Sequence, residues 1–279
     1  MDWPCTRGYV EAVAATLGCP LYFSWKEGGF EQEMLRDGTA SAPTRYETPE
    51  GVDEAGGVGE PGTRRQFPQV SQDLSVRWCS AYLKIDVAAI AIRNQARFQR
   101  ARVLVLTGER AEESTGRAHY AAFEPHRTDL ARDKKTKQLR LPPMARRHVD
   151  HWRPLLAWSE QEVWALIEDF GIAPHPAYEL GYSRVSCAGC IFGNRDQFAT
   201  LRAASPAQWE RLARYEEAFG KTIKPTVSLR VLTAQGTPYA ALTPERARAA
   251  LSREFAGPVL LGSRWELPAG AYGDSSGPT

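Results

Sequence analysis

The sequence contains no apolar run long enough to span a membrane, and its start, Met1-Asp-Trp-Pro-Cys5, lacks the basic and then apolar layout of a secretory signal. It also lacks a charge bias. The 35 Lys and Arg residues against 33 Asp and Glu give a net charge of +2, so no global field favours nucleic acid or a membrane surface. These absences predict a cytoplasmic globular protein. The 279 residues are enough for one large domain, or for one domain with a smaller companion.

Cysteine is sparse and its pattern excludes a secreted disulfide framework. The five cysteines are an odd number spread over a large chain. The close pair in Cys187-Ala-Gly-Cys190 instead indicates metal binding or redox chemistry. Cys5 and Cys19 lie in or near the first predicted helix and are interpreted as packing residues.

One stretch combines a strand pattern with polar chemistry: Arg102-Val-Leu-Val-Leu-Thr107 runs into Gly108-Glu-Arg-Ala-Glu-Glu-Ser114. The unbroken apolar run predicts a strand buried on both faces, as in a parallel sheet flanked by helices. A glycine at its end allows a tight turn, and ligands of open parallel sheets bind beyond the carboxyl ends of the strands. Arg110 and Arg117 suit an oxyanion such as phosphate or sulfate. The alternative is a charged loop that opens a helix.

Periodicity and composition predict the surrounding elements. Helical spacing predicts a helix over Thr6 to Leu17, with Gly18 as its left-handed C-cap, and another, of about twenty residues, behind Ser75-Val-Arg-Trp-Cys79. A capping box of Ser159 and Glu162 predicts a further helix that stops at Gly171. The Gly-, Pro-, Thr- and Glu-rich stretch from Asp37 to about Gln69 predicts a mobile loop, with a disordered insertion as the alternative.

A local basic patch lies between Phe123 and Arg147. It predicts either a solvated hairpin or loop, or a contact to a nucleic-acid backbone. The nearby histidines lack ligand spacing and are assigned no role beyond solvation or hydrogen bonding. The cations of the patch are Arg127, Arg132, Lys134, Lys135, Lys137, Arg140, Arg146 and Arg147, and the histidines are His119, His126, His148 and His151.

Several short motifs, in their order and spacing, resemble the phosphoadenosine phosphosulfate (PAPS) reductase family of the adenine nucleotide α-hydrolase-like superfamily. The resemblance covers roughly Thr6 to Asn194. The Cys-X-X-Cys pair, without an adjacent Cys-Cys, is most similar to the phage- and island-encoded branch related to the sulfurtransferase of DNA phosphorothioate modification. The motifs are Arg77-Trp-Cys79 with Leu83-Lys84; Gly108-Glu-Arg110 with Glu113-Ser114 and Arg117; and His175-Pro-Ala-Tyr178 with Arg184, Cys187 and Cys190.

The resemblance implies an α/β fold with an open, mainly parallel, Rossmann-like sheet flanked by helices and an adenine nucleotide over the carboxyl ends of its strands. We expect the PAPS reductase-like domain over residues 1–200, with 37–70 as a flexible insertion. A helical C-terminal extension with an irregular tail is expected over residues 201–279. The family's pyrophosphate loop, Ser-Gly-Gly-X-Asp-Ser, does not occur in the sequence. The chain is therefore expected to be N-terminally incomplete, through a truncated reading frame or a late-assigned start.

The implied function is an enzyme that binds ATP or PAPS for sulfur transfer or for reduction of activated sulfate, with nucleic-acid modification as one setting. The alternative is a catalytically inactive relative that binds a partner or nucleic acid, because the missing loop would cradle phosphates. Expected partners are an adenine nucleotide, a sulfur donor or reductant protein, nucleic acid through Arg127–Arg147 and a second copy of the chain, but no membrane. Nucleotide-binding residues are expected to be Arg77, Lys84, Gly108, Arg110, Glu113, Ser114, Arg117 and Arg184, and catalytic residues Cys79, Arg110 and Glu113.

Cys79, Cys187 and Cys190 are candidate metal ligands. Three thiolates with an open position suit a [4Fe–4S] cluster with one labile iron, which related tRNA-thiolating enzymes use to carry sulfur. Zinc is less favoured and would need a fourth ligand, for which His175 is a candidate. Plain or redox-active thiols remain the other alternative.

Overall fold

The structure is a computed structural model that describes residues 1–140 and 146–273. The chain divides into two compact units. The helical unit comprises Met1–Leu21, Gln66–Val70 and the residues from Glu160 onward, and the sheet unit comprises Tyr22–Arg65 and Ser71–Ser159. The boundary predicted near residue 200 falls inside the helical unit. None of the described helices is both long and apolar enough to cross a membrane.

Strands and helices are mixed along the chain as far as β6, and the named elements after β6 are all helices. In chain order they are α1 (Thr6–Thr16), β1 (Ser24–Lys26), α2 (Gly29–Leu35), β2 (Pro43–Thr48), β3 (Gly51–Gly56), α3 (Trp78–Ser80), α4 (Asp86–Asn94), β4 (Arg102–Leu106), β5 (Phe123–Pro125), β6 (His148–Trp152), α5 (Glu160–Asp169), α6 (Pro176–Glu179), α7 (Arg195–Ala204), α8 (Pro206–Phe219), α9 (Leu229–Ala234) and α10 (Pro244–Leu251).

The helical unit is closed by contacts between its distant segments. Tyr9 on α1 donates a hydrogen bond to the Ala173 carbonyl at 2.8 Å, and the Trp3 ring lies edge-on to Tyr182 with centroids 4.9 Å apart. Two of the predicted helix stops are confirmed: Gly18 after α1 and Gly171 after α5 have positive φ angles of 64° and 61°. Both are the left-handed positions that glycine adopts without a side-chain clash.

A three-stranded antiparallel sheet forms the first part of the sheet unit, with strand order β1-β2-β3. Strands β2 and β3 are a hairpin whose register pairs Thr48 with Gly51. The stretch after the hairpin is anchored by Arg64, which pairs with the buried Glu33 at 2.9 Å and lies 4.6 Å over the Trp78 ring. The expectation of an irregular loop from Asp37 to Gln69 is therefore wrong for residues 43–56, because cross-strand pairing supplies hydrogen bonds that local composition does not reveal. The mobility of this stretch stays a prediction.

The helix predicted behind Cys79 is confirmed. It runs through α3, a π-helical stretch over Ala81–Ile85, and α4.

The second sheet of the sheet unit has the order β4-β6-β5, with β4 parallel to β6 and β5 antiparallel to it. An α/β arrangement of small sheets with helices is thus present. The finer expectation of a mainly parallel sheet is not met in the described residues, where β4–β6 is the one parallel pair. The prediction that β4 is buried on both faces is also wrong, since Leu104 and Leu106 are 47% and 56% exposed.

Candidate functional site

The chain turns out of β4 into a loop that is held against the residues following β6. The Thr107 amide donates to the Trp152 carbonyl at 3.2 Å, and the Ala111 amide donates to the Leu156 carbonyl at 2.8 Å. Gly108 between them does not have a positive φ, and a Cβ there would lie 3.9 Å from Leu155. The turn forms as expected, but it does not require glycine at this position.

The predicted oxyanion residues lie together on this loop, which we call the 107–117 loop. A short 3-10 turn over Ala111–Glu113 is capped by Glu113, whose carboxylate accepts from the Arg110 amide at 3.3 Å. Arg110 Nη2 lies 3.2 Å from Glu112 Oε1, and Arg117 forms an ion pair with Glu113. The Arg117 amide also donates to the Ser114 carbonyl at 3.0 Å. The two arginines are thus held by carboxylates of the same loop, and an incoming oxyanion would have to replace those carboxylates.

A polar cluster that the sequence did not predict lies directly beside the loop. We call it the His151 cluster; its members are Thr107, Glu109, His126, His151 and Arg153. His151 Nε2 lies 2.7 Å from Thr107 Oγ1, and Thr107 is also hydrogen-bonded to Glu109. Because a carboxylate only accepts, Thr107 donates to Glu109 and accepts from His151 Nε2–H. Arg153 Nε donates to Glu109 at 3.1 Å, which closes the network.

Both imidazoles of the cluster are held neutral. Burial, followed by the neighbouring His151 and Arg127, lowers the pKa of His126 to about 4. Burial and then Arg153 lower the pKa of His151, against the opposing effect of Glu109. The two rings meet edge-on with centroids 5.4 Å apart. A neutral imidazole joined through a hydroxyl to a carboxylate is a chain along which a proton can move.

The His151 cluster was missed because its histidines were read from a strongly charged stretch. Strand β6 is His148–Trp152, so His151 falls near the end of the middle strand of its sheet and is 8% exposed. The alternation His148-Val-Asp-His151 was the available signal for a strand there.

The other predicted residues of the sheet unit lie near the start of α3. Arg77 is the N-cap residue of α3, and Lys84 is exposed in the π-helical stretch. Across the described ranges, no hydrogen bond or ion pair joins either side chain to the 107–117 loop. Arg77 Nε is buried and has no hydrogen-bond partner among the described residues, a defect that a ligand oxygen would correct.

In the helical unit, His175 has a structural role. It is the N-cap of α6, and its side chain accepts from the Ala177 amide at 3.2 Å. Its Nε2 lies 3.1 Å from Thr6 Oγ1. Burial lowers its pKa to about 4. Both ring nitrogens are engaged in hydrogen bonds, so the described contacts give no support to His175 as a fourth zinc ligand.

The metal prediction lacks support in the part of the chain that the structure describes. No group of three or more His, Cys, Asp or Glu side chains there is placed to hold a metal ion. Cys187 Sγ lies 3.7 Å from Asp2 Oδ1. Next to Cys190, the Ile191 carbonyl accepts a hydrogen bond from Lys224 Nζ at 2.6 Å. The described residues therefore do not fit a [4Fe–4S] cluster or zinc, and no reaction step is assigned to either.

The remaining side chains singled out in the sequence, Arg184, Cys5 and Cys19, lie in different environments. Arg184 lies 4.9 Å over the Phe192 ring, and its buried Nε has no hydrogen-bond partner among the described residues. Cys5 is fully buried, and burial raises its pKa to about 11, so its interpretation as a packing residue is confirmed. Cys19 is exposed, so the same interpretation is wrong there.

Comparison with known proteins gives a match over the middle of the chain. Residues 60–192 match the family model of the phosphoadenosine phosphosulfate reductase domain, which confirms the predicted resemblance over this range. An uncharacterized 37.8 kDa protein in gpa 5'region of Escherichia phage 186 is 32% identical over 140 residues, which are 50% of this chain and 37% of the phage protein. The chain thus matches little more than a third of that relative's length, and the likeness supports the phage-type branch. No solved structure matches.

Proposed function

We propose that the chain binds an adenine nucleotide, ATP or PAPS, at the carboxyl end of β4. The premise is the match of residues 60–192 to the family model of the phosphoadenosine phosphosulfate reductase domain. The observation that carries the proposal is the 107–117 loop, where Arg110, Ser114 and Arg117 gather just after a strand of a parallel pair. Ligands of α/β sheets bind beyond this end of the strands, and guanidinium groups bind planar oxyanions through paired hydrogen bonds. The reaction class is sulfur transfer or reduction of activated sulfate.

In this proposal the arginines exchange partners when the nucleotide arrives. Arg110 leaves Glu112 and Arg117 leaves Glu113, and each takes an oxygen of the phosphate or sulfate group. Once the arginines are paired with the ligand, they face the negative charge that develops there and stabilise the transition state. Arg77 and Lys84 are proposed to complete the cationic lining, and Arg184, in the helical unit, stays a proposed nucleotide-binding residue. Cys79 is proposed as the catalytic thiol of this site.

The His151 cluster is proposed to position the loop. Glu109 precedes Arg110 and is held from both sides, by Thr107 and by Arg153. The neighbouring Arg110 backbone is therefore anchored to the ends of β4 and β6. A backbone held by rigid strands can orient the Arg110 side chain towards a ligand.

The test is calorimetric titration of the full chain with ATP and with PAPS. We expect Arg110→Gln and Arg117→Gln each to weaken binding about ten-fold, or about 1.4 kcal/mol, because each removes a charge-assisted contact. The matched control is Arg195→Gln, an exposed arginine outside the matched range that pairs with Asp196 at 3.8 Å. Its affinity should stay unchanged. Binding that is insensitive to both loop variants would place the nucleotide elsewhere.

The alternative function is a catalytically inactive protein that binds a partner or nucleic acid. The observation in its favour is that the loop carboxylates already neutralise Arg110 and Arg117. It predicts no saturable binding of ATP or PAPS in the same titration. A sulfur donor or reductant protein and a second copy of the chain remain proposed partners, and light scattering during size-exclusion chromatography tests the latter.

A further inference from the structure

A cationic cavity lies at the other end of the β4–β6 pair from the candidate nucleotide site. It has a volume of about 230 Å³ and is lined by Gln99, Arg100, Leu130, Arg146 and Arg147. Gln99 and Arg100 precede β4, and Arg146 and Arg147 precede the parallel strand β6. The cavity therefore lies at the amino ends of these strands, whereas the 107–117 loop follows the carboxyl end of β4. No acidic residue is among the five that line it.

Arg147 forms the buried wall of the cavity and is only 6% exposed. Its Nε donates to the Thr128 carbonyl at 2.9 Å, and its Nη1 donates to Gln99 Oε1 at 3.0 Å and to the Arg93 carbonyl at 3.2 Å. These acceptors are neutral, so they orient the guanidinium without neutralising it. The neighbouring Asp129 is shared with Arg132, whose Nη1 lies 3.4 Å away. A buried cation with incomplete charge compensation favours a bound anion.

Arg100 and Arg146 add two further cations. Neither forms an ion pair with a carboxylate in the described ranges 1–140 and 146–273. Arg100 has a φ of 53°, a left-handed conformation that costs a side-chain-bearing residue conformational energy. Backbone strain of this kind concentrates at functional sites.

The rest of the basic patch offers less free charge than its sequence suggests. Arg127 pairs with Asp86 at 3.1 Å, Arg132 with Asp150 at 2.6 Å, and Arg140 with Asp133 at 2.8 Å. Three of the predicted cations are thus neutralised by carboxylates, while those at the cavity are not. Lys134, Lys135 and Lys137 of the patch are also exposed, and the three cavity arginines differ from these lysines in that they line one cavity together.

We propose that the cavity lined by Arg100, Arg146 and Arg147 binds a phosphate group, at a site separate from the nucleotide site on the 107–117 loop. Three guanidinium groups around one cavity supply paired donors for the oxygens of a tetrahedral oxyanion. Gln99 is a positioning residue that holds Arg147. The phosphate belongs either to a nucleic-acid backbone or to a small phosphate compound, and both present the same oxygens.

The experiment uses the full chain in two arms: calorimetric titration with inorganic phosphate, and fluorescence anisotropy with a labelled single-stranded DNA oligonucleotide over a range of salt concentrations. The variants are Arg100→Gln and Arg146→Gln, which leave the buried Arg147 in place so that folding is preserved. The matched control is Lys134→Gln, an exposed cation of the same patch. Circular dichroism confirms that all variants fold.

We expect each arginine variant to weaken phosphate binding about ten-fold and the lysine variant to leave it unchanged. If the occupant is a nucleic-acid backbone, phosphate displaces the oligonucleotide, and each arginine variant lowers the salt slope of its binding by about one. If the occupant is a small phosphate compound, the arginine variants weaken phosphate binding and leave oligonucleotide binding unchanged. The proposal is overturned if the wild type binds neither probe, or if Lys134→Gln weakens binding as much as the arginine variants do. Failure here leaves the ATP and PAPS titrations of the 107–117 loop unaffected.

Discussion

Acidification should destabilise the helical unit through His175. The ring is 6% exposed, caps α6, contacts Thr6 and lies edge-on to Tyr9 with centroids 5.2 Å apart. Burial lowers its pKa from 6.5 to about 4. Because the folded-state pKa is depressed, the neutral ring favours the folded state. The contribution to stability is present above the unfolded pKa and is lost as pH falls from about 6.5 towards about 4.

The magnitude follows from the two pKa values. With pKa values of 6.5 unfolded and about 4 folded, proton linkage removes about 2 kcal/mol of stability between about pH 7.5 and about pH 5. The full loss, reached only below both values, is about 3.4 kcal/mol. His126 has a similarly lowered pKa of about 4 and adds its own loss in the sheet unit, so a matched variant is needed to isolate His175.

The matched variant is His175→Asn, because asparagine is a good N-cap and does not titrate. Urea unfolding across this pH range should show a shallower pH dependence for this variant, with about 2 kcal/mol less loss at about pH 5. His119→Asn, which changes an exposed histidine, should retain the wild-type dependence. An NMR titration of the ring measures the pKa directly. An ordinary pKa for His175, or an unchanged pH dependence in His175→Asn, would refute the reasoning.

Two further substitutions test buried polar contacts. Thr107→Val keeps the side-chain shape but leaves His151 Nε2–H without its acceptor. Urea unfolding should therefore show a free energy of unfolding lower by about 1–3 kcal/mol. An unchanged free energy of unfolding would mean that the His151 cluster is not formed. Glu216→Ala removes the acceptor of the Ile223 and Leu229 amides, each at 2.7 Å, and should cost roughly 2–5 kcal/mol by the same assay. Its control, Glu217→Ala, removes an exposed ion pair with Arg230 and should lower the free energy of unfolding by no more than about 1 kcal/mol. Equal losses in the two variants would contradict the stabilising role of the buried Glu216 contacts.

The predicted position of the charged loop after β4 agrees with the structure because the residues that determine it are contiguous. The apolar run of β4, the charged residues after it and the turn over Ala111–Glu113 lie within one short stretch. The helix stops at Gly18 and Gly171 agree for the same reason, since a left-handed residue after a helix is a local backbone preference.

The candidate site as a whole could not be predicted, because half of it comes from another part of the chain. Thr107 meets His151 only through the pairing of β4 with β6, and that pairing also decides which side chains share a face. The basic patch shows the same limit. Its composition predicts a continuous positively charged surface. In the fold, Arg127 pairs with Asp86, whereas Arg146 lines a cavity.

The sequence alone therefore determined the α/β character, the position of β4 and its charged loop, the helix ends and the resemblance of residues 60–192 to the phosphoadenosine phosphosulfate reductase domain. The tertiary structure decided that one face of β4 is exposed, that His151 and His175 are buried and neutral, and that Cys79, Cys187 and Cys190 do not join a described metal-binding group. Local backbone preferences depend on neighbouring residues, which the sequence contains directly. Burial, pKa and ion pairing depend on which distant residues meet, and only the folded chain brings those residues together.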